Sequence, residues 1–257
     1  MLNSLSASHF KKLRDVGVTP VWQLKNASPN DPFFYDCGVS IDFDGAPRCY
    51  APIGTPGALD NLANAGHPGN WWGIVTHNGR ASGNPIIQSG NPPGQPEKDF
   101  YISPTSLVDK FFSEDDVRRY VDATKVPYVA LPPRHLHGTG LSLGDICFSI
   151  NVRNGRSYFS VFADSKNKPN LGEVSSRLAD ALGLPSGRNG GTSSGVMFLV
   201  FPGSGIGQGS KPQDNDIQII GKSLLSHFSR FRDVDNKLLD AYPKFPLFKT
   251  ALVVAGY

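Results

Sequence analysis

Residues 141–164 read LSLGDICFSINVRNGRSYFSVFAD. Two apolar runs flank Arg153-Asn154-Gly155-Arg156, and an Asn-Gly pair between such runs is a strong hairpin signal, because its tight turn needs positive φ at both central residues. The stretch predicts two antiparallel strands, the second ending at Asp164. Ser, Lys, Asn, Pro and Gly then form a polar loop, and Glu173 follows nine residues after Asp164. Next comes VSSRLADALG (174–183), where Val174, Leu178, Ala181 and Leu182 share one face of a short helix.

The pattern repeats on both sides of the hairpin. VPYVALP (126–132) is an apolar run bounded by prolines, and GVMFLVFPGSG (195–205) is a core strand stopped by Pro and Gly. GVSIDFDG (38–45) alternates Val39, Ile41 and Phe43 with Ser40, Asp42 and Asp44, which predicts a half-buried strand ending at an Asp-Gly turn. VTPVWQL (18–24) reads as extended and SPNDP (28–32) as a turn. Helices are expected over LSASHFKKLRDV (5–16), over SEDDVRRYVDAT (113–124), where Ser113 precedes Asp116 as in a capping box, and late in DIQIIGKSLLSHFSRF (216–231), after an initial strand or turn. Residues 51–99 are dense in turn formers. WWGIVT (71–76) and PIIQS (85–89) read as strands there, and GALDNLANAG (57–66) as one or two helical turns. A loop-rich region of that length is usually functional or held by packing.

Composition agrees with many short strands. Of 257 residues, 28 are Gly and 21 Pro, which favours tight turns over long helices. With no repeat and no convincing linker, the expectation is one domain over 1–257, mainly β, a closed or partly closed barrel with short peripheral helices and long loops, residues 1–30 forming an N-terminal extension of helix plus extended segment. The formal charge of +3 comes without a Lys/Arg run, so no nucleic acid partner is expected. No stretch of eighteen apolar residues suggests a membrane span. The opening MLNSLSASHFKKLRDVG has no signal-peptide core; a trimmed leader, another export route and an intracellular location all stay open.

Several chemistries find little support. GSGIGQG (203–209) lacks the Lys-Ser/Thr of a phosphate loop, and there is no G-x-S-x-G elbow. His135 and His137 either hold a metal or decorate a loop. Cys37 and Cys49 either form one bridge, with Cys147 free, or all three thiols are buried. Asp164 and Glu173 are either a surface acid plus a capping acid, or two carboxyls facing across a cleft, one giving a proton to a leaving oxygen and the other activating water.

The segment with Ala163-Asp164, Gly172-Glu173 and Ser175 resembles the catalytic region of the fungal-type chitosanases, glycoside hydrolase family 75, although Val174 stands where a small residue is common. SIDFDGAPRCYAP, LDNLANAGHPGNWWGI, YISPTSL, RYVDATKVPYVALP, LGDICFSI and VFPGSG are similar to that family too, so the resemblance spans about residues 37 to 205. It implies a core like the double-psi β-barrel and inverting endo-hydrolysis of β-1,4-linked glucosamine in chitosan. No metal or cofactor is implied, and a monomer, secreted or otherwise released to reach a polymer too large to enter a cell, is expected. A cleft for that polycation should carry acids and aromatics. Asp42, Asp44, Tyr50, Asp60, Trp71, Trp72, Tyr101, Tyr120 and Asp122 are the candidate substrate-binding residues, with Asp99 and Asp145 also available. For the pair itself, Glu173, beside Val174 and a packed helix, is expected to be the general acid. Asp164, at a polar strand end, is expected to be the base. The rival readings are a non-catalytic carbohydrate-binding module and an enzyme for chitin or peptidoglycan.

Overall fold

The computed structural model describes residues 10–24, 30–205 and 209–227. Twelve strands and two α-helices are defined there: β1 (Phe10–Val16), β2 (Thr19–Leu24), β3 (Phe33–Asp42), β4 (Gly66–His67), β5 (Asn70–Trp71), β6 (Ile87–Asn91), β7 (Gln95–Tyr101), β8 (Tyr128–Leu131), β9 (Ile146–Asn151), β10 (Ser157–Ser165), β11 (Glu173–Ser175), α1 (Ser176–Ala181), β12 (Thr192–Phe201) and α2 (Asp214–His227). The main sheet runs β1-β2-β3-β11-β8-β10-β9-β12, and a further β3–β12 ladder closes its last six strands into a barrel. Two of those ladders are parallel, β3–β11 and β8–β10; the others are antiparallel. The predicted hairpin is β9–β10, paired from Ser157↔Ile150 to Val161↔Ile146 around the Asn-Gly turn.

Strand alternation divides the apolar residues between two cores. The inner one draws on all six barrel strands: Phe33, Tyr35 and Val39, Val129 and Leu131, Cys147, Phe162, Val174, and Val196, Phe198 and Val200, with Leu178 of α1 and Leu182 at its C-cap. The outer one takes the opposite alternation, including Tyr128, Phe148, Val161, Ala163, Met197 and Leu199. It is covered by Phe43, Tyr50, Trp71, Leu107 and Val126 of the loop-rich segment between β3 and β8 (43–127) and by Ile217 and Leu225 of α2. Each such side chain contributes about 1.5–3 kcal/mol on burial, which is why a segment dense in Gly and Pro is held without long elements of its own. Gln218 of α2 stitches the cover down. Its amide accepts from Phe159 N (3.2 Å) and donates to Phe159 O (2.9 Å), completing a stretch of β10 that lies before the β8 ladder begins.

Some expected elements differ. The part of the first predicted helix within the described residues is strand β1, paired with β2 across a turn at Gly17; residues 5–9 lie outside the described residues. Consequently the N-terminal region extends the barrel sheet through β2–β3 pairing, and the helix-plus-extended segment is not what 10–24 form. Residues 113–124 give a single 3-10 turn, Val117–Arg119, capped by Asp116, because Asp116 turns its carboxylate back onto Arg118 N. WWGIVT is not a strand: Asn70–Trp71 pair with Gly66–His67, and bends follow. Where a strand or turn was expected from Asp216, α2 has already begun at Asp214. Residues 228–257, which include the last four of the expected helix, lie outside the described residues. Among the described residues, no helix is long and apolar enough to cross a membrane.

Candidate functional site

Glu173 and Asp164 meet on the outer side of the barrel wall, beneath the loop layer. Val129 and Leu131 of β8 point into the inner core, so Ala130 between them points out. Ala130 is the register partner of both acids, Glu173 on β11 and Asp164 on β10, so both lie on that side. Two strand spacings put their backbones about 9.5 Å apart. On the other flank Glu173 pairs with Ser40, two residues before Asp42, and the chain turns after Asp42 to present Asp44. Carboxylate oxygens of Asp42, Asp44 and Asp164 all come within 4.8 Å of one another.

Two glycines make this possible. Gly172 has φ +94, and a Cβ there would overlap the Gly38 carbonyl oxygen, so only Gly lets the loop pass β3 and deliver Glu173. Gly45, at φ +78, turns the chain after Asp44 where a Cβ would strike the Val121 carbonyl. The loop layer supplies the hydrogen bonds. Ser106 donates from N (2.8 Å) and Oγ (2.9 Å) to Asp164 Oδ1, while its Oγ accepts from Ser165 N. Ser103 Oγ donates to Asp44 Oδ1 at 2.8 Å, and the Cys49 thiol approaches the same oxygen at 3.7 Å. Asp42 is buried and accepts from Asp44 N at 2.8 Å. The Tyr128 hydroxyl donates to the Asp44 carbonyl.

Packing acids into this seam changes their proton affinity. Burial pushes Asp164 up to about 6, the Ser106 and Ser165 donors opposing and the Glu173 charge adding. Burial, then the Asp164 charge, takes Asp44 up to about 7 against the Ser103 and Tyr50 hydrogen bonds. Asp42 is raised well above the usual carboxylate range, by burial first and then by Asp44, Asp164 and Glu173. Glu173 has a different partner. Lys166 Nζ is 2.9 Å from its Oε2, and the Lys166 side chain is only 11% exposed.

These findings correct the surroundings assumed for the pair. Asp164 is not an easily ionised strand end, because Ser106 and its loop cover it. Glu173 opens β11, three residues before α1, and Ser175 Oγ caps that helix by accepting from Leu178 N. Among the candidate substrate-binding residues, Asp42 and Asp44 join the acidic group. Tyr50 is buried and its hydroxyl reaches Asp60, which is held by Asn61 N and Asn64 Nδ2. Trp72, 61% exposed, donates from Nε1 to the Asn64 carbonyl, so an open indole face adjoins Asp60 through Asn64. Tyr101 is half-buried, its N–H donating to the Tyr50 carbonyl. Three others are engaged elsewhere. Trp71 is buried in the outer core, 6.1 Å from the Tyr101 ring. Tyr120 is buried with Val75, Ile86, Ile102 and Val117. Asp122 spends its carboxylate on Thr124 and Lys125 in a turn. Asp145 is fully buried and holds the turn through Ser142 N.

Sequence reasoning missed Ser103, Ser106 and Lys166. The run ISPTS beside a strand was the available signal, since hydroxyls and free amides at a strand end are what a buried carboxyl needs. Among the described residues, Asp42, Asp44 and Asp164 are the group whose oxygens converge closely enough to share a proton or to hold a hard cation. His137 instead meets Arg14 (2.9 Å), and His135 adjoins the Asn167 carbonyl. All three cysteines are free, Cys49 and Cys147 buried and Cys37 half-buried. Two depressions of about 540 and 670 Å³ lie apart from Asp164 and Glu173, between the β9–β10 hairpin and α2 and between Phe43 and residues 176–189.

No protein-family model matches the chain, and no curated protein matches it.

Proposed function

We propose that the chain is an endo-chitosanase, hydrolysing β-1,4 bonds between glucosamine units with inversion, on a barrel of the double-psi type. The observation that carries this reading is the placement of Asp164 and Glu173 on one side of the barrel wall with Ala130 between them. A backbone separation of about 9.5 Å, two strand spacings, is compatible with the carboxyl separation of roughly 6.5–9.5 Å that leaves room for a water between acid and base. Four carboxyls in one seam, with the open indole of Trp72 linked to it through Asn64, Asp60 and Tyr50, suit a polycation better than a neutral glycan.

These surroundings favour the opposite assignment of roles to the one expected from sequence. Asp164 is the general acid: Ser106 occupies Oδ1, and desolvation keeps a proton on the carboxyl up to about pH 6. Glu173, in its ion pair with Lys166, is the carboxylate that activates water. Hydrolysis should therefore weaken as pH rises through about 6, when Asp164 loses the proton that the leaving oxygen needs. A carboxyl pair needs no metal for this reaction. The polymer is the expected partner, met outside the producing cell by a monomer.

Fully deacetylated chitosan, chitin and peptidoglycan assayed side by side, with NMR of the first-formed anomer, test the reading. Cleavage of chitosan to α-anomeric products is expected. Intact chitosan with cleaved chitin or peptidoglycan would transfer the site to another glycan. Binding to chitosan without cleavage would make the chain a carbohydrate-binding module.

A further inference from the structure

We propose that Lys166 is a positioning residue that holds Glu173 Oε2 and so aims Oε1 at the water the base activates. The inference rests on the hydrolase reading above. Its warrant is geometric. Lys166 N donates to the Leu131 carbonyl at 3.1 Å, continuing the β8–β10 ladder one step past β10. The two-residue period then puts Lys166 on the same side as Asp164. From there its side chain crosses the end of β8 to reach Glu173 Oε2 at 2.9 Å on the next strand. A lysine opening a polar loop would ordinarily extend into water; this one is 11% exposed and ends on an acid.

The charges facing Glu173 explain what the ammonium does. Asp42 and Asp44 face it from β3 and the turn beyond, and Asp164 from β10. Ser40 and Ala130 flank it on β3 and β8. The half-buried Cys37 thiol lies near Lys166 and, by burial, is pushed up to about 12, so it carries no charge at working pH. Within this group of four carboxyls Lys166 is bonded to Glu173. Holding Oε2 leaves Oε1 as the atom that can take a proton from water. Without the ammonium, Oε2 has no bonded partner to fix the direction of the carboxylate.

The test is K166M, with K166R as the conservative control, read by kcat and KM separately on chitosan and by ¹³C relaxation of the Glu173 side chain. K166M should lower kcat about tenfold or more with KM little changed, the Glu173 side chain should gain motion, and K166R should restore most of both. A folded K166M with unchanged kcat and an equally ordered Glu173 overturns the proposal. If K166M does not fold, the same readings on K166Q decide, with the same outcomes. A wild-type protein inactive on chitosan whose Glu173 side chain still loosens in K166M would sink the chitosanase reading and leave the role of Lys166 standing.

Discussion

Asp164 and Asp116 are both shielded aspartates tied to the same loop-rich segment, one in each half of the chain, yet their surroundings are opposite. Asp116 receives the Arg118 guanidinium at 2.6–3.1 Å, and that hydrogen bonding holds its carboxyl below the ordinary value. Asp164 has hydroxyl and amide donors from Ser106, carboxylates nearby and no bonded cation, and burial lifts it to about 6. The same residue type therefore does two things. Given a cation it fastens a turn; given burial and like charge it holds its proton to higher pH. The acids of the seam cluster without neutralising one another, an arrangement that weakens a fold and has to be held by the packing around it.

The comparison is broken most severely by amide substitution of the pair. Asp164→Asn and Glu173→Gln should each lower kcat on chitosan by about 10²–10⁴. A glycoside with a good leaving group separates them, since departure then needs little protonation. Asp164→Asn should recover most of its activity on that substrate and Glu173→Gln should not. The opposite pattern would return the acid to Glu173. Near-full activity of both variants on chitosan would leave the seam without a catalytic pair.

Next in size is the dependence of stability on pH. Asp44 has a folded value near 7, above its ordinary 3.8, so between those values the folded protein binds more protons than the unfolded chain. Its contribution is complete below about pH 4 and is lost as pH rises through about 7. The loss is on the order of a few kcal/mol, with Asp42 and Asp164 acting in the same direction. Thermal melts should show Tm falling between pH 5 and pH 8. Asp44→Asn, which cannot ionise, should flatten that slope and melt above the wild type at pH 8. A Tm that rises across the interval would show the acids to be ionised and paired.

A smaller effect is expected at the edge of the seam. Trp72→Ala removes an exposed indole face and should raise KM for chitosan about tenfold, with Tm little changed, on the order of 1 kcal/mol for a cation over a ring. An unchanged KM would confine binding to the acids.

Much of this was legible in the sequence. The Asn-Gly turn, the prolines bounding 126–132 and the alternation at 38–45 specified the hairpin and the strands that carry Asp42 and Asp164, because period and turn chemistry are local. The environment of each acid was not local. Ser106 reaches Asp164 across 58 residues of chain, a contact no pattern encodes. Trp71 and Trp72 are adjacent and chemically identical, and only the turn at Gly66–Trp71 decides that one enters the core and the other faces water. The β1 strand was misread for a related reason. Its Phe, Leu and Val fit a helical face, and pairing with β2 and the barrel overrides that weak preference.

The smallest expected effect sharpens the comparison at its other pole. Asp116 accepts from Arg118 N and caps the 3-10 turn at Val117, and asparagine is as good a cap, so Asp116→Asn removes charge and keeps the cap. The ion pair it loses is partly open to solvent, its arginine side chain being 42% exposed, and such pairs contribute little. Tm at pH 7 should fall by about 2 °C at most. The sign of its pH dependence is opposite to that of the seam. A carboxyl held below its ordinary value stabilises the fold above that value, and the contribution disappears as pH falls through the lowered one. Wild type and Asp116→Asn should therefore differ slightly at pH 7 and converge in acid, whereas wild type and Asp44→Asn should converge in acid and diverge strongly toward pH 8. If both variants diverged from wild type alike as pH rose, the contrast between a fastened and a poised aspartate would be wrong, and the charge on the two sites would be governed by the net charge of the protein.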